Sequence, residues 1–493
     1  MAHTERVSSR NSLQLGQLTI TRSLGLMHVL LLPLFISQGA SISSDWSAPN
    51  STRVNNVTFA VSGNGTNGFI YNSSYTSDGE YGVYNYCNMP HVRAREYLVP
   101  DSQYRLEYVE VIQRHHKRTP YQSNTFPVED IEWNCGDTRQ FYYGEPMDGF
   151  EAAKVYWDNY EDPLNPLRKR GYQGSCQFPQ ITKDGLDDSY THGKDLYDVY
   201  HKIHKFLPAK YDETTVFRAT SNVITSQVAG ALIKGMFGSS DKVPVLQQYD
   251  TIDSLRPGYS CPYAESIRGG YQGSNTNWTE HLKLSQWLFG ELDAVSGVNS
   301  TDSEWHSWYD HYFDNLSSRL CHSKPLPCSA TSPSKCISRE MANSVFRIAQ
   351  YEYSYIFRDT PRSLEYARTK YGLYLHELSA RLQQHVDGIQ GSKVKYRHNI
   401  GHDGSISLLL GALQISEMVW PGMGSEVIFE LYSSSILDAG LNKKWYVRVL
   451  WGGKVMHSSA MGEVNMIPVE EFMGYLRDLV GDSGAYVREK CGI

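Results

Sequence analysis

The sequence predicts an α/β fold with a mixed central sheet flanked by helices, and three segments carry the prediction. Leu106 to Gln113 is a β-branched, apolar run of strand character that ends on a basic turn. Thr214 to Phe217 is a short strand, followed by helical apolar spacing from Ser221 to Phe237 with a capping-type start. Val394 to Ile400 is a third strand, and a Gly-His-Asp-Gly turn leads from it into the apolar helix start Ser405 to Leu413. Alternation of this kind builds a sheet whose faces are covered by helices.

The 493 residues, 40% of them apolar, are enough to bury a full-sized core. A formal charge of −7 excludes a generalised polyanion binder, because nucleic-acid domains carry a basic footprint. No nucleic-acid partner is expected, and any phosphate site must be a local concentration of cations.

The amino terminus has the layout of an export signal, residues 1–40. Arg6, Arg10 and Arg22 precede an apolar run from Leu24 to Ile36, and the small residues Ser37, Gly39 and Ala40 follow. The run is broken by Pro33 and is shorter than the roughly 20 residues of a spanning helix. Cleavage near Gly39 or Ala40 leaves no stable membrane insertion; an uncleaved anchor is the alternative. Seven Asn-x-Ser/Thr sequons follow, at Asn50, Asn56, Asn64, Asn72, Asn277, Asn299 and Asn315. Four of them crowd residues 41–85, which read as an exposed, glycosylated Ser/Asn/Gly-rich arm. Eight cysteines, an even number, fit an oxidised protein that is secreted or held at the cell surface. Their roughly one hundred possible pairings stay open, although Cys321, Cys328 and Cys336 are close enough for at least one local loop closure.

Gly63-Asn64-Gly65-Thr66-Asn67-Gly68 matches the spacing of a dinucleotide fingerprint, but that motif needs a helix directly after it. Phe69-Ile70-Tyr71-Asn72-Ser73 has no helical pattern, so the segment reads as a turn. No C-x-x-C pair or other ligand cluster calls for a metal, and no cofactor is expected. Oligomeric state leaves no signal.

The chemistry gathers at the three strand ends. Leu106 to Gln113 runs into Arg114-His115-His116-Lys117-Arg118-Thr119-Pro120, where three cations in one short loop repel each other unless an anion or solvent relieves them. Arg218 ends the second strand, and His402-Asp403 stands between the third strand and a helix N-terminus, which itself favours anions. Ligands of open α/β sheets bind beyond the carboxyl ends of strands. Together the segments describe an anion site with one acid and two imidazoles.

These residues resemble a known family. Arg114 to Pro120 is similar to the R-H-G-x-R-x-P signature of the histidine acid phosphatases, His402-Asp403 to their H-D motif, and Phe217-Arg218-Ala219-Thr220 to their middle arginine segment. Thr191-His192-Gly193-Lys194-Asp195-Leu196 loosely resembles a T-x-x-G stretch, and Gly424 to Tyr432 and Trp445 to Val455 resemble the closing strand and hairpin. The matches run in order from about residue 86 to the end. The resemblance implies a phosphoglycerate-mutase-like α/β core, 86–127, 185–240 and 390–493, with a smaller, mostly helical insertion domain, 128–184 and 241–389. Candidate helices at 279–295, 337–358 and 361–386 fit the latter, and 128–183 reads as an irregular lid or rim. It also implies a Cys261 to Cys491 pairing.

The activity so implied is secreted acid phosphatase action on small-molecule phosphomonoesters through a phosphohistidine. His115 would be the nucleophile, Asp403 the proton donor, and Arg114, Arg118, Arg218 and His402 the phosphate-binding groups. Inositol phosphates and simpler sugar or alkyl phosphates are both compatible substrates. One position departs from the signature: its Gly is His116 here, and Gly tolerates close approach or positive φ where His does not. The loop is then either reshaped or has His116 in the pocket. The alternative function is a weak or inactive secreted relative that binds a phosphorylated glycan.

Overall fold

A computed structural model describes residues 42–74, 82–128, 131–141, 153, 155–160, 162–167, 173–238, 242–388, 393–437 and 443–493. The expected signal, 1–40, lies outside them.

The strands, in chain order, begin with β1 (Tyr104–Arg114), the ribbon β2 (Gln140–Phe141) and β3 (Tyr156–Trp157), β4 (Thr215–Ala219) and β5 (Val245–Leu246). They continue with β6 (Tyr396–Gly401), β7 (Glu426–Leu437), β8 (Lys443–Trp451), β9 (Lys454–Val455), the ribbon β10 (His457–Ser458) and β11 (Gly462–Glu463), and β12 (Ile467–Pro468). The central sheet has the order β12-β8-β7-β1-β6-β4-β5, with β9 on β8. β1, β6, β4 and β5 are mutually parallel, and β7 joins the other edge of β1 in the antiparallel sense. The sheet is therefore mixed, as its sequence indicated. Arg114 stands beside Gly401, and Ala219 beside Ile400, so three neighbouring parallel strands end at one place.

The α-helices, in chain order, are α1 (Val57–Ser62), α2 (Lys183–Tyr197), α3 (Val223–Phe237), α4 (Pro262–Tyr271), α5 (Thr276–Leu284), α6 (Gln286–Ser296), α7 (Ser303–His306), α8 (Asp310–Cys321), α9 (Arg339–Phe357), α10 (Pro361–Val386), α11 (Asp403–Ala412), α12 (Val469–Val480) and α13 (Ala485–Cys491). Side chains alternate across β1, and each set meets a different helical layer. Val109 and Val111 face a core shared with α2 (Lys183–Tyr197) and α3 (Val223–Phe237), including Leu196, Val228 and Leu232. Asn222 caps α3 by accepting from the Ile224 N–H, and Gly238 closes it in the left-handed region. Tyr108 and Ile112 face the opposite core. There they meet α9 (Arg339–Phe357), α10 (Pro361–Val386), α11 (Asp403–Ala412) and α12 (Val469–Val480). The helix-rich stretch 262–386 thus shares one apolar core with a face of the sheet. Thr360 and Pro361 start α10 as N-cap and first helical residue.

Two expectations need correction. The 279–295 helix is two, Thr276–Leu284 and Gln286–Ser296, divided at Ser285, whose φ of −104° and ψ of 9° depart from helical values. The described part of the arm, 42–74 and 82–85, is docked rather than exposed: Val54, Ala60 and Ile70 are buried. Arg358 donates to the Ser47 carbonyl at 2.6 Å, Ser47 N–H to Gln414 at 2.6 Å, and Arg347 to the carbonyls of Ala60 and Gly65. Gly63 to Gly68 is a turn with Gly65 and Gly68 at positive φ, and no helix follows.

The disulfides are Cys87 with Cys321, Cys135 with Cys176, Cys261 with Cys491, and the local loop Cys328 with Cys336. Among the sequons, Asn50, Asn56, Asn64, Asn277 and Asn299 are exposed. Asn315 is 1% exposed inside the helix Asp310–Cys321, where it donates to the Asn124 carbonyl and accepts from Arg319. A glycan on that nitrogen has no room, so Asn315 is withdrawn as a glycosylation site. Peptide mapping of exported protein before and after glycosidase treatment should find Asn315 unmodified; a glycan there would contradict the packing of this helix.

Candidate active site

Arg114 is the last residue of β1 and is fully buried. One terminal nitrogen lies 2.9 Å from Asp403 and 3.1 Å from the Tyr86 hydroxyl, and the other donates to the Pro421 carbonyl. Asp403 opens α11, where its Oδ1 accepts the Gly404 N–H and its Oδ2 the Trp420 indole N–H at 2.8 Å. That indole is clamped between Phe313 and Tyr353, with ring centroids 4.0 and 3.8 Å away. Burial favours the neutral acid, but Arg114, the Trp420 N–H, Arg118 and His402 outweigh it and hold the carboxyl below the usual range. At rest Asp403 is a carboxylate.

His115 follows Arg114 and is 1% exposed. Its Nδ1 is 2.9 Å from the His116 carbonyl, which can only accept, so Nδ1 carries the proton and Nε2 a free lone pair. Burial, with the charges of Arg114, Arg118 and His402, keeps the ring well below the usual imidazole range. It is a neutral imidazole with a fixed tautomer. His402 lies 5.5 Å away between ring centroids and bonds through Nε2 to Thr220, at the end of β4. Burial, helped by Arg256, Arg118 and Arg114 against the pull of Asp403, lowers it as well. Arg118 is anchored by Asp314 at 3.0 Å and packs over the Tyr121 ring.

The structure therefore brings together Arg114, His115, Arg118, His402 and Asp403. It does not bring Arg218 to them. Although Arg218 is the penultimate residue of β4, its guanidinium is 2.5 Å from Asp253, 3.2 Å from Glu377 and 2.5 Å from Gln248. Two carboxylates there repel a phosphate, so its expected phosphate-binding role is withdrawn. Sequence reading missed Trp420, Asp314, Thr220 and Arg256. None has a periodic signal; Arg256 is marked only as a turn residue by the following Pro257-Gly258. Among the described residues, no group of three or more His, Cys, Asp or Glu is placed to hold a metal.

His116 turns away from the site. Its Nε2 is 3.2 Å from His192 Nδ1, and His192 Nε2 is 2.8 Å from Glu426 on β7, so the chain of donors runs from the loop through α2 to the sheet. Burial keeps His116 and His192 neutral and pushes Glu426 up to about 7. The His116 backbone is not in the left-handed region. Space for the ring comes from Gly424, whose added Cβ would sit 2.3 Å from the His116 Cε1. Lys117, also buried, reaches Asp188 at 2.9 Å and the side chains of Asn72 and Ser74, and Gly185 lets α2 approach the Lys117 carbonyl. Asn72 is thus already engaged, with its amide donating to Asp184.

Gly424→Ala should cost about 2–4 kcal/mol, from overpacking and positive φ together. In a His116→Gly background only the φ cost of about 1–2 kcal/mol should remain. Urea unfolding of the four proteins checks this, and additive losses would show that the two positions do not interact.

Comparison with known proteins identifies the family. The profile of the histidine phosphatase superfamily (branch 2) matches residues 105–451. The chain is 24% identical over 439 residues to human (Homo sapiens) 2-phosphoxylose phosphatase 1, covering 84% of this chain and 87% of that protein. It is 24% identical over 366 residues to mouse (Mus musculus) lysophosphatidic acid phosphatase type 6, covering 71% and 79%. Hafnia alvei phytase in complex with myo-inositol hexakis sulphate has the same fold, with a TM-score of 0.50 at 12% identity over 78% of this chain and 99% of that one. With the profile spanning most of the chain and the relatives named as phosphatases, this protein belongs to branch 2 of the histidine phosphatase superfamily and is a phosphoric monoester hydrolase.

Proposed function

We propose that the protein is an exported acid phosphatase that hydrolyses a phosphorylated sugar through a phosphohistidine on His115. The observation that carries the chemistry is the bond from His115 Nδ1 to the His116 carbonyl, which leaves Nε2 free to attack. Nε2 forms a bond to phosphorus as the bond to the ester oxygen breaks, and the departing alkoxide takes a proton from Asp403. Water then attacks the phosphohistidine, gives its proton to Asp403 and releases phosphate and neutral His115. Arg114, Arg118 and His402 hold the non-bridging oxygens, a task of positioning and charge stabilisation. The sugar is inferred from the relative named 2-phosphoxylose phosphatase 1. Export is inferred from four disulfides and the signal-like amino terminus. No helix of the described residues is long and apolar enough to cross a membrane.

A second reading, a weak relative that binds a phosphorylated glycan without turnover, is favoured by the commitment of Arg218 to Asp253 and Glu377. Phosphate release from an aryl phosphate at mildly acidic pH separates the two.

His115→Ala should abolish turnover and the trapping of radiolabelled phosphoenzyme; retained activity would remove the nucleophile. Asp403→Asn should slow alkyl phosphates by about 10²–10⁴ and an activated aryl phosphate far less. Equal losses on both would remove the acid.

Because Asp403 rests as a carboxylate, its proton must arrive with the substrate monoanion, whose second ionisation lies near about pH 6. The kcat/KM for an alkyl phosphate should therefore fall as pH rises past about 6. A profile that climbs toward alkaline pH would contradict this proton inventory.

A further inference from the structure

We propose that Arg256 is a phosphate-binding residue of this site, taking the place that Arg218 leaves empty. The inference rests on the phosphatase reading above and names a further ligand-holding group for it.

Two independent sets of contacts fix where Arg256 stands. Through the backbone, Ser405, two residues beyond Asp403 in α11, donates its hydroxyl to the Leu255 carbonyl at 2.7 Å, so the residue before Arg256 is docked on the first turn of α11. Through side chains, Thr220 bonds His402 at 3.0 Å, the adjoining Ser221 donates to Asp250 at 3.0 Å, and Asp250 faces the Arg256 guanidinium at 3.5 Å. The first route starts two residues from Asp403 and ends at the neighbour of Arg256, and the second starts at His402 and ends on Arg256 itself. Its charge acts on His402 in the same sense as those of Arg114 and Arg118.

What distinguishes Arg256 from Arg218 is availability. Arg218 is 8% exposed and held by two carboxylates, whereas Arg256 is 49% exposed and meets one carboxylate, itself 58% exposed, at a loose 3.5 Å. An exposed pair of that kind is worth little and gives way to a dianion that offers shorter bidentate bonds. Arg218 has a separate task. By gripping Asp253, whose carboxylate also accepts the Leu255 N–H and whose carbonyl accepts the Gly258 N–H, it anchors the turn that presents Arg256. The strand-end arginine positions the loop, and the loop arginine meets the anion.

The test compares wild type, Arg256→Ala, Arg256→Lys and Asp250→Asn by calorimetric titration with inorganic phosphate and by hydrolysis of p-nitrophenyl phosphate. Arg256→Ala should raise both the phosphate Kd and the KM by about tenfold to a hundredfold, with an unchanged Tm. Arg256→Lys should fall between it and wild type. Asp250→Asn, which removes the competing carboxylate, should tighten phosphate severalfold, a change of sign that damage to the fold does not produce. Wild-type Kd and KM in Arg256→Ala would overturn the proposal and leave the phosphatase reading intact. Phosphate binding that depends on Arg256 in a wild type without turnover would support the proposal and overturn the catalytic reading. A wild type that neither binds phosphate nor turns over would overturn both.

Discussion

The contact between Arg114 and Asp403 is the interaction on which the rest of the site depends. It joins the last residue of β1 to the first residue of α11, two elements brought side by side because β1 and β6 are parallel neighbours in register. Arg114 is wholly buried, and burying a guanidinium is costly unless a counter-charge and hydrogen bonds offset it. The surrounding structure repeats the same solution. Lys117 has Asp188, Arg118 has Asp314 and Arg218 has Asp253. Four cations are thereby buried near three strand ends, each neutralised by an acid from another element. A phosphate monoanion, the form the proposed reaction requires, would enter a region already balanced and bind by competing with carboxylates for cations.

That competition reconciles the depressed Asp403 with a role as acid. The contacts that keep it ionised at rest, chiefly Arg114, are the ones a phosphate bound as proposed would draw upon. Loss of part of that stabilisation, beside the charge of the monoanion, would raise the carboxyl so that it can take up the proton the monoanion brings. His115 follows no such cycle. Burial and the neighbouring cations keep it neutral, and a backbone carbonyl fixes its tautomer.

Much of this was legible in the sequence because it depends on local order. The β1 run, the helix spacing from Ser221 and the turn before Ser405 each fall where the elements form. His115, Asp403, Arg114, Arg118 and His402 are adjacent to those elements and inherit their positions. Arg218 was misjudged for the same reason: sequence placed it at a strand end but says nothing of the way a side chain points, and Asp253 and Glu377 lie 35 and 159 residues further on. The role of His116 was hidden likewise, since the space it occupies is provided by Gly424, on the far side of the sheet's sequence order. The arm misled through composition; its Ser/Asn/Gly content resembles a linker, while Val54, Ala60 and Ile70 supply just enough apolar surface to dock it.

The docked arm also sets the true limits of the functional unit. The region matched by the family profile, 105–451, stops short of residues that complete the loop around His115, because Asn72 and Ser74 supply the polar shell of Lys117 from outside it. At the other end, Cys491 closes back on Cys261, and α12 fills the core beneath β8. A fragment trimmed to the limits of the profile would leave the buried Lys117 ammonium with Asp188 but without Asn72 and Ser74. The stretch a profile recognises and the stretch this chain needs in order to stand are therefore different lengths of polypeptide.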